Sequence, residues 1–209
     1  MALGRLLVGP ASGTARVSDR PLTPECRWRE AAPSDVTALD DIYGHAVRTS
    51  TATFDVTPPP ADYWLTRIQS KEPGDHVLVA CDGDARVIGF AYSGAFRPRP
   101  AYGLTRETSI YLAPDATGRG IGRALYAVLL DLLRADGMHL AVAVVACPNP
   151  ASHALHRSVG FQEVGTLREV GRKFDQWVDT TWYQLPLEAA RAEESPLSPT
   201  LRSISEIGS

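Results

Sequence analysis

The stretch Glu107–Gly122, ETSIYLAPDATGRGIG, constrains the fold of this chain more than any other. Its first part alternates as a strand does, with Thr108, Ile110 and Leu112 on one face and Glu107, Ser109 and Tyr111 on the other. A short loop leads to the glycine turn Thr117-Gly118-Arg119-Gly120-Ile121-Gly122. A helix follows, with Ile121, Leu125, Val128, Leu129 and Leu132 on one stripe and a stop near Gly137. Such a unit leaves backbone N–H groups free at the helix start, where a phosphate can dock. Glu107, at the other end of the unit, is a carboxylate able to take a proton. The pattern suggests an enzyme that holds a phosphorylated cofactor and moves a proton.

The 209 residues are enough for one domain with tails, and at 44% hydrophobic they can bury a sizeable core. The folded unit is expected at 27–187. Residues 1–26 read as a flexible extension, or as sequence upstream of the true start, and 188–209 as a disordered Ser- and Pro-rich tail. In MALGRLLVGPASGTA the apolar stretch is only Leu6 to Val8, too short for a signal peptide. No apolar run is long enough to span a bilayer. The net charge of −3 gives no electrostatic reason to expect nucleic acid or an anionic membrane. Cys26, Cys81 and Cys147 are odd in number and far apart, which predicts a reduced, cytoplasmic chain. The histidines lack metal-ligand spacing, so no metal is expected.

Along the chain, 27–31 reads as a strand. Ser34 is a candidate N-cap for a helix carrying Val36, Leu39, Ile42, Tyr43, Ala46 and Val47. The segment 49–60 reads as a loop, and a second helix carries Tyr63, Trp64 and Ile68. A hairpin, 76–81 and 86–93, turns at Asp82-Gly83-Asp84, a sequence that tolerates positive φ. Leu140 to Ala146 fits a strand buried on both faces. Asn149-Pro150 caps and opens a helix that ends at Gly160, and two strands follow near 161–170 and 175–187. The order β-α-α-β-β-β-α-β-α-β-β predicts an α/β protein, a mixed sheet with helices on both faces.

The glycine turn lacks the Gly-Lys-Ser/Thr of a Walker loop. A loop separates it from its strand, unlike a Rossmann fingerprint. It resembles the pyrophosphate-binding motif of the GNAT family of acetyl-CoA-dependent N-acetyltransferases, Gln/Arg-x-x-Gly-x-Gly/Ala after a strand. Gly120 and Gly122 match, while Thr117 stands where the motif has Gln or Arg. Three further segments occur in order: Thr49 to Phe54, Cys147-Pro148-Asn149 through His156 to Phe161, and Gly165 to Gly171 with Lys173-Phe174 and Trp177. Together they resemble the phosphinothricin and methionine sulfone acetyltransferase branch of that family, over about residues 27 to 187. The resemblance implies the GNAT fold, acetyl-CoA as co-substrate and a homodimer.

It also implies roles for particular residues. Ile110, Tyr111 and Leu112 would pair their backbone with the pantetheine arm. Gly118, Arg119, Gly120, Ile121, Gly122 and Arg123 would cradle the pyrophosphate, and Asn149 would contact the cofactor. Glu107 would act as general base, His156 as proton donor to the leaving thiolate, and the Leu112 amide as oxyanion donor. Each has a plainer reading: Glu107 as a solvated surface residue, Asn149 as a helix cap alone, His156 as a satisfied helix histidine and Tyr126 as a packed aromatic. Phe54, Arg97, Arg99 and Tyr102 are candidates for substrate binding, the two arginines for an anionic group. A basic solvated loop is the alternative. Gly103 and Arg106 depart from the branch pattern, and both are expected beside the acceptor pocket.

The expected reaction is direct acetyl transfer to the α-amino group of a small amino acid of the phosphinothricin, methionine sulfone or methionine sulfoximine type. No arrangement for an acyl-enzyme is visible. The alternatives are an N-acetyltransferase for a polyamine, an antibiotic or a peptide N-terminus, and a non-catalytic acyl-CoA-binding regulator.

Overall fold

A computed structural model describes residues 20–187 apart from 24 and 61. The expectations for residues 1–19 and the tail 188–209 lie outside the described residues.

The strands are β1 (Arg20–Thr23), β2 (Cys26–Glu30), β3 (Val77–Cys81), β4 (Val87–Ala95), β5 (Thr105–Leu112), β6 (Leu140–Ala146), β7 (Gln162–Lys173) and β8 (Gln176–Pro186). The helices are α1 (Val36–Thr49), α2 (Tyr63–Gln69), α3 (Ile121–Ala135) and α4 (Pro150–Ser158). The strands form one sheet in the order β1-β2-β3-β4-β5-β6-β8-β7. Every neighbouring pair is antiparallel except β5 and β6. This is the expected mixed α/β sheet with one strand more. Arg20–Thr23, read from sequence as part of a flexible extension, pairs with β2.

α1 and α2 cover one face, where Tyr43 of α1 meets Tyr111 of β5 edge-on and Trp64 of α2 meets Phe90 of β4. α3 and α4 cover the other, where Tyr126 of α3 reaches Thr108 of β5. The two faces of β5 are therefore those its alternation predicts. The buried stripe of α3 is Ile121, Leu125, Tyr126, Leu129, Leu130 and Leu133, while Val128 and Leu132 are half-buried at its edge. β6 is buried on both faces over most of its length, as its unbroken apolar run requires.

Three local details differ from the sequence reading. Asp35, not Ser34, precedes α1, and its carboxylate accepts from the Ala32 amide at 2.7 Å and from Arg29. In the β3–β4 turn the positive φ belongs to Ala85 (62°), while the Asp82 carboxylate accepts from the amides of Asp84 and Arg86. The β7–β8 turn uses positive φ at Phe174 and Asp175. Among the described residues no helix is long and apolar enough to cross a membrane, and no cluster of His, Cys, Asp and Glu is arranged for a metal ion.

Candidate active site

β5 and β6 pair at Thr105↔Leu140, Arg106↔Ala141 and Glu107↔Val142, and the ladder stops there. Beyond Glu107 the strands splay. Amide directions alternate along an antiparallel strand. The Ala113 amide donates to the Ile88 carbonyl on the β4 side. The Thr108 amide still faces Val142 at the last rung of the β5–β6 ladder, and the amides of Ile110 and Leu112 beyond it face the gap, unclaimed by the sheet.

A cavity of about 830 Å³ occupies the gap and runs to the start of α3. Ile110, Tyr111, Leu112, Gly118, Gly120, Gly122, Arg123 and Asn149 line it, as the sequence predicts. The glycines serve two different needs. Gly118 and Gly120 have φ of +74° and +75°, a left-handed conformation that strains any residue with a Cβ. Gly122 is helical; a Cβ there would come within 3.3 Å of Leu112 Cδ1, so its absence lets helix and strand close together. The first amides of α3 and the positive end of its dipole point into this cavity, which suits a pyrophosphate. Arg119 turns aside to Glu25 at 3.3 Å, and Ile121 is buried in the core; neither side chain lines the cavity. Asn149 caps α4, its Oδ1 accepting from the Ser152 amide at 3.1 Å, so capping and a place on the cavity wall coexist.

A second cavity of about 520 Å³ lies under α1 and α2. It shares Ala52, Ser109, Tyr111, Val144 and Ala146 with the first, so the two adjoin at the splay. Glu107 lines it, half-buried, and accepts no side-chain hydrogen bond from a described residue. Burial pushes its carboxyl up from the ordinary value of 4.5, and the guanidinium groups of Arg97 and Arg67 pull it back in part. Phe54 and Arg97 line this cavity; Arg99 and Tyr102 do not. Tyr102 instead meets the Phe96 ring edge-on at 5.5 Å. Sequence reasoning missed Arg67, Tyr43, Tyr92 and Trp182, all on the wall. The helical spacing of Tyr63 and Arg67 was the available signal for the first.

The reading of Arg106 as an acceptor-pocket residue is corrected. Arg106 neighbours Glu107 on an alternating strand and so faces the other way. It is buried, donating to the carbonyls of Gly103, Thr105 and Pro73 and facing Asp75 at 3.5 Å. It fastens the 73–75 loop to the start of β5. Gly103 closes a short turn after Tyr102 and lines neither cavity.

His156 is buried at 4% exposure on the wall of the first cavity. Its Nδ1–H donates to the Ser152 carbonyl at 2.7 Å. Its Nε2 is 3.2 Å from the Tyr126 hydroxyl, which lies 2.6 Å from Thr108 Oγ1. Thr108 Oγ1 is 3.1 Å from the Val142 carbonyl. Burial lowers the His156 pKa below its ordinary 6.5, so the ring rests neutral at pH 7.

An enzyme that moves a group from a phosphate-bearing donor to a small acceptor needs two cavities meeting at one point, and this chain is built that way. It belongs to the acetyltransferase (GNAT) family, whose sequence pattern matches residues 39–161. It is 44% identical over 172 residues to a phosphinothricin N-acetyltransferase from Streptomyces coelicolor, covering 80% of this chain and 99% of that protein. It is 36% identical over 168 residues to an L-methionine sulfoximine/L-methionine sulfone acetyltransferase from Pseudomonas aeruginosa, covering 78% of this chain and 96% of that one. Its fold matches a phosphinothricin acetyltransferase from Sinorhizobium meliloti crystallised with AcCoA, at a TM-score of 0.74 and 37% identity, over 78% of this chain and 88% of that chain.

Proposed function

We propose that this enzyme transfers acetyl from acetyl-CoA to the α-amino group of a small amino acid with a polar head, of the phosphinothricin, methionine sulfone or methionine sulfoximine type. The observation that carries this reading is the junction of two cavities at the β5–β6 splay, with Glu107 on the acceptor side and the glycine turn on the donor side.

Acetyl-CoA supplies an acetyl group activated as a thioester. The turn Gly118–Arg123 and the free α3 amides hold its pyrophosphate, and Asn149 and the β5 amides orient its arm. Glu107 takes the proton that the acceptor amine must lose, directly or through water. A rise of about 3.3 Å per residue puts Leu112 roughly 16 Å along the strand from Glu107 and Ile110 roughly 10 Å. The Ile110 amide therefore suits the developing oxyanion, and the Leu112 amide suits the pantetheine arm. His156 serves the departing thiolate. The neutral ring keeps its one hydrogen on Nδ1, so Nε2 takes the second proton that the amine nitrogen loses after attack and passes it to the thiolate sulfur as the C–S bond breaks. Phe54 and Arg97 take part in acceptor binding; Arg99 and Tyr102 contribute from the cavity's approach.

On the same reading the enzyme is cytoplasmic and homodimeric, with no nucleic-acid or membrane partner. Cys26, Cys81 and Cys147 form no disulfide, which fits a reducing compartment. The β7–β8 arm exposes Val164, Leu167, Val170, Phe174 and Trp177, an apolar surface fit for a second copy. Light scattering giving a single-chain mass at working concentration would remove the dimer.

The test is a thiol-release assay with acetyl-CoA and a panel of phosphinothricin, methionine sulfone, methionine sulfoximine, polyamines, aminoglycosides and peptides. Release with the amino acids supports the assignment. Release with peptides or polyamines alone overturns it, and binding of acetyl-CoA without turnover of any amine points to a regulator.

A further inference from the structure

Arg67 stands on the acceptor wall with a buried donor that nothing among the described residues satisfies. It sits on α2, with its guanidinium carbon 4.7 Å from the Tyr63 ring and 4.8 Å from the Tyr92 ring. The two rings hold the plane of the group without consuming its donors. Its Nε is buried and has no hydrogen-bond partner, and no ion pair or side-chain hydrogen bond to it exists among the described residues. A buried donor of that kind is costly unless something fills the site. Asp55, on the same wall, is already engaged by the Tyr43 hydroxyl at 2.8 Å.

The position relative to Glu107 is set by the sheet. Gly94 of β4 stands directly across the ladder from Glu107. A Cβ on Gly94 would lie 2.9 Å from Nη1 of Arg67, so the guanidinium rests in the space that this glycine leaves open. Arg67 and Glu107 are thus neighbours over one cross-strand pair. In an α-amino acid a single carbon separates the amine from the carboxylate. A carboxylate bound to Arg67 brings that amine, and no more distant one, to Glu107.

We propose that Arg67 is the anchor for the α-carboxylate of the acceptor and so selects the α-amino group for acetylation. Arg97, stacked 4.6 Å over Phe96 and 5.8 Å over Trp182, is free for the side-chain head. This inference rests on the amino-acid reading above and adds the residue that makes it regiospecific.

The experiment compares kcat/KM for methionine sulfone and for its α-carboxamide, which lacks the negative charge. The ratio is measured in wild type, Arg67→Gln, Arg67→Lys, Gly94→Ala and Arg97→Gln. Dividing each variant's acid-to-amide ratio by that of wild type cancels the intrinsic reactivity of the two amines. Arg67→Gln is expected to lose roughly 10- to 100-fold of the preference for the acid, with the amide little changed. Arg67→Lys is expected to keep part of it. Gly94→Ala keeps the charge but displaces it, and is expected to lose the preference as well. Arg97→Gln is expected to leave the ratio alone. Equal losses for acid and amide in both Arg67→Gln and Gly94→Ala would overturn the anchor, as would collapse of the ratio in Arg97→Gln instead. A wild-type ratio near one overturns the anchor while leaving amino-acid acetylation intact. No turnover of either compound beside turnover of other amines removes the underlying reading.

Discussion

The Tyr126 hydroxyl and Nε2 of His156 stand 3.2 Å apart in a setting closed to solvent. The chain they belong to ends in a carbonyl on each side, Ser152 and Val142. Filling every link needs a hydrogen from each of Nδ1, Nε2, Tyr126 and Thr108. A neutral histidine supplies one too few, so the network has room for one more proton. Tyr126→Phe breaks the chain at its centre and strands Nε2 in the core. Chemical denaturation is expected to report a loss of about 1–3 kcal/mol. Turnover is expected to fall with KM for acetyl-CoA unchanged, a split that simple misfolding would not give.

Glu107→Gln tests the base. Burial raises the Glu107 pKa, so kcat/KM in wild type is expected to fall on the acid side at a pH above the ordinary value of 4.5. The base form is lost as pH drops through that value. The variant is expected to lose about 10²- to 10⁴-fold in turnover together with that acid limb. Isothermal titration should show acetyl-CoA bound as before. A full acid limb in the variant assigns the ionisation to another group.

His156 also links folding to pH. Its pKa is depressed in the native state, so the unfolded chain binds the proton more readily. Its contribution to stability is present above the ordinary value of 6.5 and is lost as pH falls through 6.5 toward the lower native value. Denaturant midpoints measured from pH 8 downward should show this slope, and His156→Gln should flatten it.

The two kinds of glycine in the turn are separable. Gly120→Ala forces a Cβ into φ of +75° and is expected to cost about 1–2 kcal/mol. Gly122→Ala gains about 0.5–1 kcal/mol of helix propensity, which offsets the crowding against Leu112. Both are expected to raise KM for acetyl-CoA, but only Gly120→Ala should lower the melting temperature clearly.

Lys173 carries the docking of the loop after α1. Its buried ammonium donates to the Thr53 carbonyl at 2.7 Å, and the neighbouring Phe54 ring fills the space left by Gly171. Lys173→Met removes a charged hydrogen bond worth about 1.5–3 kcal/mol. It is expected to raise KM for the acceptor, because Phe54 and Asp55 line that cavity, while leaving KM for acetyl-CoA unchanged. Equal changes in both would mean that the loop does not act on the acceptor side alone.

The β5–turn–α3 unit was legible because its signals are local: a period of two, glycines at positive φ, then a period near 3.6. Asn149-Pro150 was legible for the same reason, since a cap is a contact within one turn. The direction of Arg106 was legible too, from its place beside Glu107, and was misassigned by weighing proximity in sequence over alternation. Asp35 displaced Ser34 because Arg29, on a separate strand, supplies its partner. Arg67 carried only its helical spacing from Tyr63, which says nothing of a site. Its role depends on α2 lying across β4 at a glycine.

The sequence by itself therefore determined the glycine turn at the start of α3, the faces of β5 and the carboxylate at its edge. These follow from backbone geometry and alternation, which need no distant neighbour. Only the tertiary structure decided where β5 and β6 part, which residues wall the acceptor cavity and which cations stand near Glu107. Those depend on how far a ladder runs and on which side chains two separate elements bring together, and chain order does not encode either locally.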